Sequence, residues 1–338
     1  MSSRSILSLV YAIHSLKDMG IETDATLKKY GFSLESLDPF GQIDRTTELK
    51  IITELMPQID DPVCGLKLGQ EFSLVGYGPF SLMLMTAPTA YEACRMGILY
   101  QNLTYLYGIM ELDLSTQYQA LNIRVSPLPD SARNLVIDRD LSGTYQLLTD
   151  ILKIIDEPLE LSEVWVPHSD LGHPERYEQL FNCPVKFEAP HSRLEIKNID
   201  LSRPFPQSNP IAFNLYRSQC DQLLNARPSS YHQLQHQVKG YLELFEYHFP
   251  KVEEVASLLS MPERTFRRQL THEQSSYQKI LNEVRHDKAK DLLERTSLSV
   301  EIIAERLGYS ETASFNHAFR RWQGLSPKRY REQSMITS

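Results

Sequence analysis

Near the C-terminus, apolar residues recur at the spacing of an α-helix. Val300, Ile303 and Leu307 fall on one face of a helix with about 3.6 residues per turn. After a short break, four further apolar residues follow with the same period: Phe315, Ala318, Phe319 and Trp322. The pattern predicts two short amphipathic helices joined by a tight connection.

The residues beside these helices are typical of helix ends. Ser299 and Ser310 can cap the first and the second helix. Gly308 can adopt the left-handed conformation that ends the first helix. Two short helices joined by about three to four residues that include glycine are typical of a helix-turn-helix, whose second helix enters the DNA major groove. A plain helical hairpin has the same pattern, so one unit leaves both interpretations open.

The same pattern occurs earlier in the chain. Four apolar residues stand 48 positions before their counterparts in the unit just described: Val252, Val255, Ala256 and Leu259. In the second helix the offset is 49 positions, as between Phe266 and Phe315. The extra residue falls in the turn, where an insertion costs least. The sequence therefore predicts tandem helix-turn-helix units at about 252–273 and 300–323.

The outward faces of the two second helices are polar and basic. On the first, Glu263 can form a capping box with Ser260. The residues predicted to contact DNA there are Glu263, Arg264, Arg267 and Arg268. On the second helix they are Thr312, Ala313, Asn316, His317, Arg320 and Arg321. A solvated basic face is the alternative, but arginines on both tandem units favour DNA contact.

A continuous helix is predicted between the two units. Apolar residues recur at helical spacing from Tyr277 to Glu294. At ~1.5 Å per residue, this stretch is about 27 Å long. A strut of that length can hold two reading helices near the ~34 Å that separates successive major grooves on one face of DNA.

Several short motifs of the second unit resemble a known family signature. They are Gly308-Tyr309-Ser310, Ser314-Phe315, Phe319-Arg320-Arg321, Gly324-Leu325-Ser326-Pro327 and Tyr330-Arg331. These motifs are similar to those of AraC/XylS-type transcription regulators, over about the last hundred residues and more loosely in the first unit. There Ser275 stands where the family often has glycine. The resemblance implies a bacterial regulator whose partners are double-stranded promoter DNA and RNA polymerase.

Upstream of the tandem units, the period of the apolar residues changes along the chain. A long helix is predicted at 88–107, and a hairpin is predicted from alternating residues at 109–114 and 118–125. A further helix at 135–155 and short strands follow. We therefore expect an α+β N-terminal sensor domain followed by an all-α tandem helix-turn-helix DNA-binding domain.

Prolines at positions 204, 206 and 210 predict the exit from the sensor domain. We expect an N-terminal effector or dimerisation domain at 1–210, a linker at 211–233 and the DNA-binding domain at 234–335. The run from Ile211 to Gln237 is amphipathic and reads as the connection between the two domains.

The N-terminal part carries a second resemblance. Its motifs are DPVCGLKLG, GYGPFSLMLMTAPTAYEA, the run from His168 to Val185, and Leu201 with Pro204. They resemble the arabinose-binding-like domain of ornithine-utilisation-type regulators, over roughly Arg45 to Pro210. The resemblance implies a small-molecule effector but does not imply a sugar.

The net charge of −8 is unusual for a DNA-binding protein until it is divided along the chain. From Tyr231 onward there are 16 basic and 14 acidic residues, a balance of +2, which leaves −10 for the rest. An acidic sensor joined to a mildly basic reader opposes indiscriminate DNA binding. The positions of the arginines therefore matter more than the total charge.

Tyrosines crowd the predicted helix at 88–107. Four of them are candidates for an effector pocket: Tyr91, Tyr100, Tyr105 and Tyr107. Pockets are mostly apolar with a few placed polar groups, which tyrosines supply. The alternative is that these side chains only fill the core and its rim. The identity of the effector cannot be read from the sequence.

Metal and enzyme functions receive little support. His168, His173 and Cys183 lie in loops without metal-ligand spacing, so we expect no metal and no cofactor. A repair protein that transfers alkyl groups to cysteine is a remote alternative. Cys183, its candidate residue, lies in Asn-Cys-Pro-Val without an adjacent basic residue to lower its pKa. We expect no enzymatic activity.

These observations predict a transcription regulator, an activator that responds to a small molecule and forms a homodimer. No apolar run reaches the ~18–20 residues of a membrane span, and four scattered cysteines favour the cytoplasm. A repressor remains an alternative. So does a regulator that needs no ligand and uses its N-terminal domain only to dimerise.

Overall fold

The chain divides into two units, one from Ser2 to Pro228 and the other from Ser229 to Ser338. The structure is a computed structural model and describes residues 3–34, 41–114, 119–125, 127–197, 200–225, 233–245, 248–259 and 261–337. The sequence predicted that the first domain ends at residue 210. The structure extends this unit to Pro228, because the helix Pro210–Asn225 packs against it.

The N-terminal unit combines helices and strands. Its helices are α1 (Leu7–Asp18), α2 (Asp24–Lys29), α3 (Arg45–Leu55), α4 (Cys64–Gln70), α5 (Pro79–Met85), α6 (Ala90–Leu99), α7 (Asp130–Lys153), α8 (Pro174–Phe181) and α9 (Pro210–Asn225). Its strands are β1 (Ser3–Ser5), β2 (Gln42–Asp44), β3 (Gly108–Leu114), β4 (Gln119–Val125), β5 (Leu161–Trp165), β6 (Val185–Lys186) and β7 (Ser192–Ile196). The predicted α+β class is confirmed.

The main sheet of this unit contains the predicted hairpin. Strands β3 and β4 pair antiparallel, with Gly108 opposite Val125 and Leu114 opposite Gln119. The strand order is β3-β4-β7-β5-β6, and β5 and β6 run parallel. Strands β1 and β2 form a separate antiparallel pair. The turn of the hairpin lies outside the described residues.

Helix α7 runs through the core of the N-terminal unit. Helix α4 packs against it through two glycines. A Cβ atom added to Gly65 would lie 2.8 Å from the Cβ of Asp138, and one added to Gly69 would lie 2.6 Å from the backbone nitrogen of Gly143. The glycines therefore allow the two helices to approach closely.

The predicted helix at 88–107 is shorter than expected. Helix α6 ends at Leu99, and Gln101–Leu103 form a single 3₁₀ turn before β3 begins. The side chain of Gln101 explains the break, because it bonds to the start of β3. Its Nε2 donates to the backbone oxygen of Met110 at 3.2 Å, and its Oε1 accepts from the backbone nitrogen of Met110 at 2.6 Å.

Most of the predicted linker at 211–233 belongs to helix α9 of the N-terminal unit. Phe213 and Cys220 on α9 are buried, and α9 packs against α5. The hydroxyl of Tyr100 donates to Asp221 Oδ1 at 2.7 Å. The apolar positions that suggested an amphipathic connector therefore belong to the sensor core. Residues 226–232 lie outside the described part of the chain.

The C-terminal unit is built from helices. They are α10 (Gln233–Glu243), α11 (Val252–Leu258), α12 (Glu263–His272), α13 (Tyr277–Arg295), α14 (Val300–Arg306), α15 (Thr312–Gln323) and α16 (Pro327–Thr337). This confirms the all-α prediction and both helix-turn-helix units. In neither unit does a helix within the described ranges have the length and apolar content needed to span a bilayer.

Candidate nucleic-acid interface

In the first helix-turn-helix, α11 supports the reading helix α12. Val255, Ala256 and Leu258 on α11 are buried. Phe266 and Leu270 on α12 are also fully buried. Because Phe266 and Leu270 are one turn apart, they hold one face of α12 against the core and leave the opposite face in solvent.

The exposed face of α12 brings together the four residues predicted for it. Glu263, Arg264, Arg267 and Arg268 are all exposed. The Nε of Arg267 donates to Glu263 Oε1 at 2.6 Å, an ion pair between residues four apart on one helix. Within the ranges that the structure describes, Arg264 and Arg268 form no ion pair with a carboxylate. The guanidinium groups of these two arginines are therefore available to donate hydrogen bonds to a binding partner.

The predicted capping box of α12 joins Ser260 and Glu263. The residue before the helix is Pro262, whose ψ of 137° is extended and whose side chain makes no capping bond. Ser260 lies outside the described residues. Glu263 is the first residue of the helix and uses its carboxylate to bind Arg267. Proline suits this helix start because its missing N–H would have no partner there.

In the second helix-turn-helix, two of the three predicted end residues are confirmed. Ser299 Oγ accepts from the backbone nitrogen of Ile302 at 3.3 Å and caps α14. Gly308 has a φ of +75°, the left-handed conformation that the sequence predicted. The predicted cap of α15 was wrong by one residue, since Glu311 precedes the helix in extended conformation and Ser310 lies outside it.

The exposed face of α15 forms one side of an open groove of about 440 Å³. Buried Phe315 and Phe319 orient the helix. Four of the six predicted residues line the groove: Ala313, Asn316, His317 and Arg320. Arg321 is also exposed, and Thr312 is half-buried at the first position of the helix. Four of the six predicted residues therefore share one side of the helix.

Four further residues line the same groove and were missed by the sequence analysis. Val300 and Glu301 come from α14, and Ser326 and Lys328 come from the start of α16. Ser326 caps α16 by accepting from the backbone nitrogen of Arg329 at 3.4 Å. The Ser-Pro pair at the start of a helix was the available signal, because free N–H groups at a helix start attract anions such as phosphate.

Helix α13 confirms the predicted strut and has 19 residues, or about 28 Å at ~1.5 Å per residue. Ser276 Oγ caps it by accepting from the backbone nitrogen of Lys279 at 3.2 Å. Its second half shares a core with the second unit, because Ala289 and Leu293 are buried with Ile303, Phe315 and Phe319. The strut is therefore continuous with the core of the unit that follows it.

Both reading helices are followed by a residue with positive φ. After α12 this residue is Gln274, at +55°, and after α15 it is Gly324, at +74°. Ser275, which the sequence analysis compared with the family's glycine, is the residue directly after Gln274. Gln274 and Gly324 each turn the chain from a reading helix into the next helix.

The four tyrosines proposed for an effector pocket are not all brought together. Tyr105 is buried and stacks on Tyr77, with ring centroids 4.5 Å apart. Tyr107 is buried and donates to the backbone oxygen of Arg45 at 3.0 Å. Tyr100 bonds to α9, whereas Tyr91 is 45% exposed.

A narrow crevice of about 10 Å³ adjoins Tyr105. Among its lining residues are Phe72, Tyr77, Thr104, Arg139 and Leu147. Arg139 is almost completely buried, and its guanidinium carbon lies 5.0 Å from the centre of the Tyr107 ring. Its Nη2 donates to Asp140 Oδ1 at 2.9 Å. Aromatic rings and one buried ion pair therefore meet at this crevice.

The cysteines lack the environment of reactive thiols. Burial, together with the carboxylate of Glu163, raises the pKa of Cys183 to about 11. A nucleophilic thiol requires the opposite shift. His168 bonds to Asp138 and to the backbone oxygen of Ser169. In the part of the chain that the structure describes, no group of three potential metal ligands occurs.

Comparisons with known proteins agree with this geometry. Residues 20–205 match the model of the arabinose-binding N-terminal domain of AraC transcription regulators, and residues 255–333 match a helix-turn-helix domain. The transcriptional regulator VqsM of Pseudomonas aeruginosa is 30% identical over 274 residues, which are 79% of this chain and 83% of VqsM. The ornithine utilization regulator of the same species is 28% identical over 272 residues, or 80% of this chain and 79% of that protein.

Among solved structures, the transcriptional regulator CdpR from Pseudomonas aeruginosa is similar over 95% of this chain and 98% of its own, with 25% identity and a TM-score of 0.47. The matched domains cover both units described above, and the relatives are transcription regulators. This chain belongs to the AraC family of helix-turn-helix transcription regulators that carry an arabinose-binding N-terminal domain.

Proposed function

We propose that this regulator reads two successive major grooves of promoter DNA with α12 and α15, and that a small molecule bound by its N-terminal unit controls the outcome. The observation that carries the first part is the continuous helix α13, which runs between the tandem units and packs into the core of the second. Both reading helices turn a polar, basic face to solvent, and α13 joins them without a break. Two helices on one rigid support gain affinity from simultaneous binding.

We assign base-edge and phosphate contacts to different residues of the two reading helices. Arg264 and Arg268 on α12 and Asn316 and His317 on α15 are candidates for base edges, because they are mid-face on helices that enter the groove. Arg320 and Arg321 lie towards the end of α15, where phosphates pass the helix. Glu263 and Thr312 begin their helices, and Ala313 offers the small apolar surface that a thymine methyl can contact.

A C-terminal fragment tests this proposal directly. A fragment from Tyr231 to Ser338 contains both units and the strut, so it should bind the same DNA sites as the full chain. The sites would be selected from genomic fragments with the full chain and then footprinted with both proteins. If a folded fragment protects none of them, the proposed division of labour is wrong.

For the effector, the crevice beside Tyr105 is the best supported location. Phe72, Tyr77 and Tyr105 supply aromatic surface, and the buried ion pair of Arg139 with Asp140 supplies polar groups. Because the crevice is narrow, an effector would need to displace one of these rings. Tyr91 and Tyr100, which face other surroundings, have a weaker claim as contact residues.

Thermal-shift screening of small molecules tests this location. A ligand that binds only the folded state raises the midpoint of unfolding. The shift should shrink in Tyr105→Phe, which loses the hydroxyl bonded to the Gly76 oxygen, and should persist in the control Tyr91→Phe. A library without any hit would favour the alternative in which the N-terminal unit only dimerises.

Activation through RNA polymerase is the further part of the proposal, with a homodimer in the bacterial cytoplasm as the working form. Transcription in vitro from a selected promoter, with purified polymerase, separates an activator from a repressor by the sign of the change in transcript. Sedimentation with and without DNA measures the oligomeric state.

A further inference from the structure

Arg285 lies near the middle of the strut α13 and reaches both helix-turn-helix units. Its Nη2 donates to the backbone oxygen of Gly308 at 3.2 Å. Its guanidinium carbon lies 4.8 Å from the centre of the Tyr309 ring and 5.4 Å from the centre of the Phe249 ring. Gly308 and Tyr309 form the turn of the second unit, whereas Phe249 lies three residues before α11, the first helix of the first unit.

The contact with Gly308 is close enough to depend on the absence of a side chain. A Cβ atom added there would lie 2.9 Å from Arg285 Nη2. The left-handed φ of +75° already favours glycine. The guanidinium therefore packs directly on the backbone of the turn that sets the direction of α15.

Neighbouring residues of α13 each anchor one unit. Tyr277 donates its hydroxyl hydrogen to the backbone oxygen of Pro250, at the entry to α11. The ring of His286 lies 5.3 Å from that of Trp322 and 6.1 Å from that of Phe319, both on α15. Arg285 differs from these two residues because its single planar group touches elements of both units.

A guanidinium suits this position physically. It is planar, so it can lie against two aromatic rings and still donate a hydrogen bond in its own plane. Partial burial strengthens its attraction to the ring faces. Burial also lowers the pKa of Arg285, but a guanidinium remains charged at physiological pH.

We propose that Arg285 is a positioning residue that fixes the orientation of the second helix-turn-helix relative to the first, and thereby sets the half-site spacing that the protein accepts. The residue itself touches no DNA in this account. Without it, each unit would keep its own core, but the angle between α12 and α15 would vary. Several half-site spacings would then fit about equally well.

The test uses the full chain and a footprinted operator in which one or two base pairs are inserted or removed between the segments protected by the two units. The variant Arg285→Met keeps the length of the side chain and removes the hydrogen bond and the charge. Arg295→Met is the matched control, because Arg295 lies exposed on the same helix and pairs with Asp291 of that helix.

We expect wild type and Arg295→Met to lose about tenfold or more in affinity when the spacing changes. Arg285→Met should bind the native spacing more weakly, bind altered spacings nearly as well as the native one, and bind isolated half-sites as wild type does. Arg285→Lys should restore the preference in part, since lysine keeps the charge and one donor but not the planar group.

A second variant, Phe249→Leu, tests the proposal if Arg285→Met does not fold. It removes the ring that Arg285 touches beside the first unit and leaves the Gly308 and Tyr309 contacts in place. The same relaxation of spacing is expected. Unchanged spacing preference in folded Arg285→Met or in Phe249→Leu would overturn the proposal. An equal loss on half-sites and full sites would also overturn it, because that result indicates a role in stability alone.

Discussion

The first helix-turn-helix turns arginines to solvent, whereas the second turns a mixed polar face into a groove. On α12, Arg264 and Arg268 flank the ion pair between Glu263 and Arg267. On α15, Asn316 and His317 precede the arginines and line the groove. Two copies of one scaffold therefore carry different recognition chemistry, and the scaffold alone does not determine what is read.

The turns and cores of the two units differ as well. The second turn is one residue longer and uses Gly308. The second core is rich in aromatic rings, with Phe315, Phe319 and Tyr330 in edge-to-face or tilted contact. Because this turn is longer, the orientation of α15 depends on how the turn packs. Arg285 contacts the turn at the backbone oxygen of Gly308.

The largest expected effect comes from breaking the strut between the units. Asp287→Pro removes a backbone hydrogen bond from α13 and clashes with the preceding turn, at a cost of ~3 kcal/mol or more. Affinity for a full site should fall by about a hundredfold or more, because joint binding depends on geometry. Half-site binding should change little, and footprinting measures both.

The proline is placed at Asp287 and not at the nearby Ala289, so that only the helix is disturbed. Ala289 is completely buried in the core of the second unit, whereas the Asp287 side chain is 61% exposed. The control Asp287→Ala removes the same ion pair with Lys239 and keeps the helix. If Asp287→Pro still protects both grooves as well as the alanine variant does, the two units are not held by this helix.

The next effect contrasts two arginines of α12. Arg268→Ala should cost about 1–3 kcal/mol and relax the preference at one base position. Arg267→Ala should cost less, because the Arg267 guanidinium is already bound by Glu263. Binding to a set of operators with single base changes measures both. A larger and more base-specific loss for Arg267 would reverse our assignment of the DNA-facing side.

A smaller effect is expected at the end of the second reading helix. Arg321→Ala should weaken binding to all sequences similarly and lower the slope of log affinity against log salt by about 0.9, the value for one phosphate. A titration with salt on specific and unrelated DNA makes the comparison with Arg268→Ala. Loss of preference at a single base in Arg321→Ala would contradict the assignment to phosphate.

The smallest effect concerns the residues that follow the two reading helices. Gln274→Gly should stabilise the first unit by about 1 kcal/mol, since a left-handed residue other than glycine is strained. Gly324→Ala should destabilise the second unit by a similar amount, although a Cβ atom there would meet no neighbour. Shifts of about 4 °C in opposite directions are expected for the C-terminal unit. Shifts of the same sign would show that backbone strain is not the cause.

Much of the reader could be predicted because its signals are local and occur twice. The spacing of Val252 and Phe266 repeats in Val300 and Phe315, and the structure places the extra residue in the turn. The caps were predicted less well, with Ser299 confirmed and Ser310 displaced by Glu311. Helix ends depend on competing side chains within one or two residues, which periodicity does not resolve.

The sensor was harder to predict, because its decisive contacts join residues distant in the chain. Gln101 ends a helix by bonding to Met110, and α9 covers α5 from more than a hundred residues downstream. The four tyrosines share a short stretch of sequence, but Tyr100 turns to Asp221 and Tyr105 to Tyr77. Closeness in sequence therefore did not imply a common pocket.

By itself, the sequence determined the tandem units, the strut and the outward arginines, because the period of the apolar residues and helix geometry assign those features residue by residue. The class of the protein came from short motifs that resemble a known family. Only the tertiary structure decided which arginine of α12 is bound by Glu263, which tyrosine adjoins a crevice, and that Arg285 reaches both units. The crevice and the Arg285 contacts depend on side chains from separate elements that meet in three dimensions. No single stretch of sequence encodes such a meeting.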